Sequence, residues 1–208
     1  MTSLAEHYDA LAETYAGGRH LFDTRPLLLK FAEPLSSSAR VLDVGCGAGE
    51  PVARFFIDRG DQVLGIDCSP KMIELAQSTV PEAEFAVADM LAFDAPAGQF
   101  DAITAVYSVF HINRSHHQAL FAQFARWLKP GGHLLLTLAS EAYSGEPEFD
   151  GQINFIGHDL PYSHDRPEQA LAKLEAAGLS AWSAEHIETG GESFFWVMAQ
   201  RQATDADS

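Results

Sequence analysis

Three glycines at alternate positions, Gly45, Gly47 and Gly49, directly follow the apolar run Val41-Leu42-Asp43-Val44. A loop of this kind lets a ligand press against bare backbone, because glycine has no side chain to hold it off and takes positive φ at little cost. The acids beside it select the ligand. Asp43 precedes the loop, and Glu50 stands where the dinucleotide fingerprint G-x-G-x-x-G needs its third glycine. Two carboxylates at that point repel a pyrophosphate and attract an ammonium group or the sulfonium of an amino acid. The sequence also lacks a G-x-x-x-x-G-K-S/T loop, so a P-loop nucleotide site is not supported.

Two further acids extend the pattern. Asp67 lies at the end of the next apolar run, at the distance where an acid accepts the hydroxyls of a ribose. Asp89 in Ala88-Asp89-Met90 comes after a third run and can accept from the exocyclic amine of a base. A nucleoside is then expected between Cys68 and Met90, with its cationic end at Gly45. His111 follows a fourth apolar run and is the candidate general base, since imidazole titrates near neutral pH. Tyr8 and Tyr15 share one face of an N-terminal amphipathic pattern.

The elements that must position these residues alternate. Helices are expected over 3–16, 25–34, from Glu50-Pro51 to about 60, 70–79, 114–128 and 167–177. Strands are expected over 40–44, 62–66, 84–87, 100–107 and 133–139, with a turn at Lys129-Pro130-Gly131-Gly132. Two last strands, 180–187 and 193–200, form a hairpin about Gly190-Gly191. Residues 140–165, rich in His, Tyr, Gly and Pro, read as irregular, and the tail from Ala203 as frayed. Such alternation requires an open, mostly parallel, doubly wound α/β sheet with helices on both faces. Its ligands bind beyond the carboxyl ends of the strands, where Asp43, Asp67 and Asp89 fall.

Composition bounds the partners. Acids outnumber bases 29 to 13, for a net charge of −16. This argues against nucleic acid or an anionic membrane, both of which need a basic footprint. No apolar run is long enough to span a bilayer, and the N-terminus does not read as a signal peptide. Two cysteines are too few for a disulfide framework or a zinc site, which fits a cytoplasmic protein. The pairs His158-Asp159 and His164-Asp165 lie outside common zinc spacings, and no metal is expected.

The segments VLDVGCGAGE (41–50), VLGIDCSPKMIELAQ (63–77), FAVADML (85–91), FDAITAVYSVFHI (100–112) and LKPGGHLLLT (128–137) occur in the order of a known family. The chain resembles the class I S-adenosylmethionine-dependent methyltransferases, in particular the small enzymes that act on small molecules. The resemblance implies a single Rossmann-like domain over 1–208, built on a seven-stranded sheet whose last strand is antiparallel. Within it, 1–38 would be a helical lid, 39–139 the cofactor-binding core, 140–165 a substrate-recognition insert and 166–200 a C-terminal helix and hairpin.

By the same resemblance, Gly45, Gly47 and Gly49 line the methionine part of S-adenosyl-L-methionine, Asp67 holds the ribose and Asp89 reads the adenine. Cys46 and Cys68 supply backbone and packing, and Ala105 and Val106 touch the cofactor. Tyr8-Asp9-Ala10-Leu11-Ala12-Glu13-Thr14-Tyr15 matches a lid pattern that closes over the cofactor, with Tyr15 on the cofactor and Tyr8 toward the acceptor. The remaining acceptor candidates are Tyr107, His111, Tyr143, Phe155 and Tyr162. Arg19, Arg25, Arg114 and Arg166 flank the lid and rim, where one could meet a substrate carboxylate. The expected activity is methyl transfer to an O or N atom of a small metabolite, releasing S-adenosyl-L-homocysteine. A non-catalytic S-adenosylmethionine-binding sensor or supporting subunit fits the same motifs. A nicotinamide oxidoreductase is opposed by Asp43 and Glu50. A homodimer is left open.

Overall fold

A computed structural model describes residues 3–18 and 23–203. Its core is one seven-stranded sheet in the order β3-β2-β1-β4-β5-β9-β8. The strands are β1 (Arg40–Val44), β2 (Gln62–Asp67), β3 (Glu84–Val87), β4 (Phe100–Ala105), β5 (Leu128–Leu138), β8 (Leu179–Thr189) and β9 (Glu192–Arg201). The first five run parallel, and β9 runs antiparallel to both neighbours.

Period-two alternation along each central strand feeds two apolar layers, as a sheet covered on both faces requires. Val41, Val63, Ala102 and Leu135 face α1 (Leu4–Gly18), α2 (Arg25–Ala32) and α3 (Val52–Arg59). Leu42, Ile66, Ile103 and Leu136 face α5 (His117–Trp127) and α7 (Pro167–Ala176). The aromatic series Phe55, Phe56, Phe121, Phe124 and Trp127 is buried in these layers. Each such ring contributes roughly 1.5–3 kcal/mol by leaving water.

Local signals decide the helix starts. Ser69 caps α4 (Pro70–Thr79) by accepting from Met72 N at 3.0 Å, with Pro70 in the first turn. Pro51 stands one residue earlier than expected, as the cap of α3 rather than its first residue. The helix expected from 114 begins at His117, after a single 3₁₀ turn that Asn113 caps. The Lys129–Gly132 turn is an excursion within β5, between Leu128 paired with Phe100 and His133 paired with Ala102. The final hairpin does turn at Gly190 and Gly191, both at positive φ.

The main departure from expectation is 140–165. It holds the short helix α6 (Glu141–Ser144) and a separate antiparallel hairpin, β6 (Phe149–Phe155) with β7 (His158–His164). The hairpin turns at Ile156 (φ 49°) and Gly157 (φ 80°). A two-residue turn with positive φ at both positions normally announces itself as Asn-Gly or Asp-Gly, and isoleucine conceals it.

Candidate functional site

The site sits at the switch point of the sheet, where the loops after β1 and β4 diverge. The loop after β1 is pinned by its own backbone: Gly45 N and Cys46 N both donate to Ile66 O, at 2.8 and 3.0 Å. Ser108, just past β4, donates through Oγ to Val44 O at 2.8 Å. A Cβ on Gly45 would lie 2.3 Å from the Ser108 Cβ, so only glycine lets these two loops meet. Asp67 ties the loop to β2. Its Oδ2 accepts from Gly47 N at 3.0 Å and its Oδ1 from Ser69 N at 2.9 Å. Burial raises its pKa above the ordinary carboxylate value, and the two backbone N–H groups oppose that rise.

Helix α1 covers the loop. Asp9 fastens it, accepting from Ser69 Oγ at 2.5 Å and Lys71 N at 3.0 Å, at the positive end of α4. Beneath it lies a cavity of about 440 Å³, within the range of small-molecule sites. Tyr8 and Tyr15 form its roof and Gly45 and Gly47 its inner wall, with Asp67, Cys68, Asp89 and Met90 along one rim. Tyr107, Ser108 and His111 close the far side. Asp89 Oδ1 also accepts from Leu91 N at 2.9 Å, so this acid caps its own turn while facing the cavity.

His111 has a defined tautomer. Its Nδ1 lies 2.8 Å from Pro161 O, and a carbonyl can only accept, so Nδ1 carries the hydrogen. Nε2 is therefore an acceptor, and Tyr8 OH lies 2.7 Å from it. Burial lowers the His111 pKa to about 4, a drop that the hydrogen bond to Pro161 partly offsets. At neutral pH the ring is uncharged.

Several expected residues lie elsewhere. Asp43 is buried behind the loop, where its Oδ1 accepts from Thr104 Oγ1 at 2.8 Å. Gly49 turns toward Val80 and Phe85, and Cys46 is buried, its thiol donating to Gly47 O. Ala105 is fully enclosed in the layer under α5, and Val106 in the opposite layer. Tyr143 and Tyr162 are a stacked pair, centroids 5.4 Å apart, within the wall behind His111. Phe155 reaches the Tyr15 ring rather than the cavity. Burial pushes the Cys68 thiol up to about 12 and the Cys46 thiol well above its ordinary value, so neither is a thiolate.

Arg114 and Arg166 pair with Glu148, Arg25 begins α2, and Arg19 lies outside the described residues. Among the described residues no group of three or more metal-ligating side chains is found. Sequence reasoning missed Ser108, Met72 and Ile112, which line the cavity. Nothing in their types marks them, because the topology alone brings them there.

A glycine loop and two rim acids at the switch point of this sheet, under a helical cover, define the class I methyltransferase architecture. Comparison with known proteins agrees. Residues 41–132 match the family described as a methyltransferase domain. The chain is 36% identical over 162 residues, 74% of its length, to 27-O-demethylrifamycin SV methyltransferase of Amycolatopsis mediterranei (strain S699). It spans 58% of that relative's length. Among solved structures it is similar to the [4+2]-cyclase SpnF, with a TM-score of 0.76 at 21% identity, covering 98% of this chain and 96% of that one. It is also similar to Burkholderia thailandensis 1,6-didemethyltoxoflavin-N1-methyltransferase, solved with 1,6-didemethyltoxoflavin and S-adenosylhomocysteine bound. There the TM-score is 0.70 at 17% identity, and the coverage 97% and 92%. Residues 41–132 thus carry a methyltransferase domain, and the chain has the fold of the class I S-adenosylmethionine-dependent methyltransferases. Among the described residues no helix is long and apolar enough to cross a membrane.

Proposed function

We propose that the chain transfers the methyl group of S-adenosyl-L-methionine to an oxygen or nitrogen of a small molecule. The observation that carries this reading is the Tyr8 OH to His111 Nε2 contact of 2.7 Å, at the wall of the cavity that Gly45, Gly47 and Asp67 also line. Cofactor binding alone has no use for a buried neutral imidazole facing the ligand space. The cofactor fits the residues present: Gly45 and Gly47 leave room for its methionine part, while Asp67 and Asp89 offer acceptors to the ribose and the adenine amine. When bound, it supplies a methyl group already activated on a sulfonium.

The rest is alignment by the chain. Tyr15 lies over the glycine loop, 3.8 Å from where a Gly47 Cβ would be, and holds the methionine end down. Tyr8 and His111 face the acceptor, whose proton His111 Nε2 is placed to receive. Leu4, Ala5, Tyr107 and Ile112 make that side of the cavity apolar, which suits an apolar acceptor bearing a hydroxyl, and one relative is a 27-O-demethylrifamycin SV methyltransferase. The free, protonated Cys46 and Cys68 fit a reducing compartment, and a cytoplasmic location is part of the proposal.

An acceptor panel of alcohols, phenols and amines, read by S-adenosylhomocysteine release, tests the reading. Turnover with one class supports it. Tight cofactor binding with no turnover across the panel favours a sensor, and binding of NADH without S-adenosylmethionine overturns it. Asp67→Ala, which removes a charged acceptor worth about 1.5–3 kcal/mol, is expected to raise the cofactor Kd roughly 10- to 100-fold by calorimetry. An unchanged Kd removes the ribose assignment.

A further inference from the structure

The β6–β7 hairpin touches His111 and the helix that carries Tyr8. On one side, Pro161 O of β7 accepts from His111 Nδ1, and the Tyr162 ring packs edge-on against the imidazole, centroids 4.8 Å apart. The hairpin is bound to the bend that carries His111. Asn113 Nδ2 donates to both carboxylate oxygens of Asp150 on β6, at 2.8 and 2.7 Å, and Arg114 N donates to Ser163 Oγ of β7 at 2.8 Å. On the other side, His158 at the start of β7 meets His7 of α1, Nδ1 to Nδ1 at 3.3 Å, with the rings edge to face. His7 is the residue before Tyr8. Phe155 of β6 meets Tyr15 of the same helix.

We infer that this hairpin is the positioning element of the proposed base: the Pro161 carbonyl sets the His111 tautomer, and His158 holds α1 so that Tyr8 reaches Nε2. The inference rests on the methyltransferase reading and goes beyond it, because it assigns work to residues that touch neither ligand.

The physical reason lies in the two ring nitrogens. Which one carries the proton is set by the hydrogen bond the other makes. An unconstrained histidine favours the Nε2–H form, which would point a donor at the acceptor and leave no lone pair to take its proton. A carbonyl on the Nδ1 side reverses that preference. Because one hairpin supplies both this carbonyl and the seat for α1, the place of the cover and the state of the base are set by the same element. Pro161 and His158 act through His111 and Tyr8 and are positioning residues.

The test is a long-range ¹H–¹⁵N spectrum of the full chain with ¹⁵N-labelled histidine, the His111 signal being assigned by its loss in His111→Gln. In the wild type a single Nδ1–H tautomer is expected. Asp150→Ala and Asn113→Ala, which loosen the hairpin, should introduce the Nε2–H form and lower kcat by about 10-fold, with the cofactor Kd held within about twofold. His158→Ala should lower kcat similarly, and His158→Gln, which can still bond His7, should restore most of it. An Nε2–H signal in the wild type overturns the inference. So does an unchanged tautomer and kcat in both Asp150→Ala and Asn113→Ala. Failure of the functional reading looks different: Nδ1–H in the wild type with no turnover of any acceptor removes the function and leaves the hairpin's role standing.

Discussion

His111→Ala is expected to lower kcat by about 10²- to 10⁴-fold while leaving the cofactor Kd nearly unchanged. The size follows from what the base can supply. Holding the acceptor in line is worth roughly 7–11 kcal/mol and survives the substitution, whereas proton removal is worth about 3–5. Nε2 is the right atom for it, because Nδ1 is committed to Pro161 O. Burial, the dominant cause, brings the His111 pKa down to about 4. The lone pair is therefore present in nearly every molecule at neutral pH. The acid limb of kcat/KM should fall near pH 4–5 rather than near the 6.5 of a free histidine, and should vanish in His111→Ala. The same depression has a stability sign. The stability it contributes, about 3 kcal/mol, is fully present above pH 6.5 and is lost as pH falls toward 4. Stopped or steady-state rates against pH, with the cofactor Kd measured alongside, decide the point. A variant rate within a few-fold of wild type removes His111 as the base.

Tyr8 separates two ways of using this pair. If its hydroxyl relays the proton, Tyr8→Phe should lose as much kcat as His111→Ala. If it only fills Nε2 until the acceptor arrives, the loss should be small and the acceptor KM should change instead.

The legible and illegible parts of this chain differ in kind. The glycine loop could be read because backbone contact needs glycine, and a Cβ on Gly45 would stand only 2.3 Å from the Ser108 Cβ, too close for any side chain. Asp67 was legible because an acid ending an apolar strand has few reasons to be there. That it also accepts from Gly47 N was not legible, since this depends on the register of β1 against β2. Asp43 announced the electrostatics of the loop, yet lies behind it on Thr104. The hairpin at 149–164 was hidden by Ile156-Gly157, a turn that uses an unusual residue, and by a proline inside a strand. With the hairpin unread, neither the His111 tautomer nor the contact of Tyr8 could follow from sequence, because both depend on atoms some 50 to 100 residues away.

Gly45→Ala is expected to abolish measurable cofactor binding, a loss of at least about 10²-fold. Two costs add. At φ 72° alanine enters the left-handed region, which costs roughly 1–2 kcal/mol. Its Cβ would also sit 2.3 Å from Ser108 Cβ and 2.9 Å from Ser108 Oγ. Ser108 cannot swing aside, because its Cβ is fixed by the backbone and its Oγ is bonded to Val44 O. One loop must therefore move, at a further cost of about 1–3 kcal/mol. Moving the loop after β1 breaks the Gly47 N to Asp67 contact, and moving the bend after β4 displaces His111 three residues on. Two controls separate the terms. Gly98→Ala has the same backbone strain, at φ 65°, with nothing within 4 Å of the new Cβ, and should cost about 1 kcal/mol in urea unfolding without changing the Kd. Adding Ser108→Gly to Gly45→Ala removes the collision and should recover a large part of the binding, as a positive coupling in the double-mutant cycle. Recovery would place the defect at the contact of the two loops. Independent, additive losses would mean that the glycine serves the ligand directly, through open backbone, and not the junction.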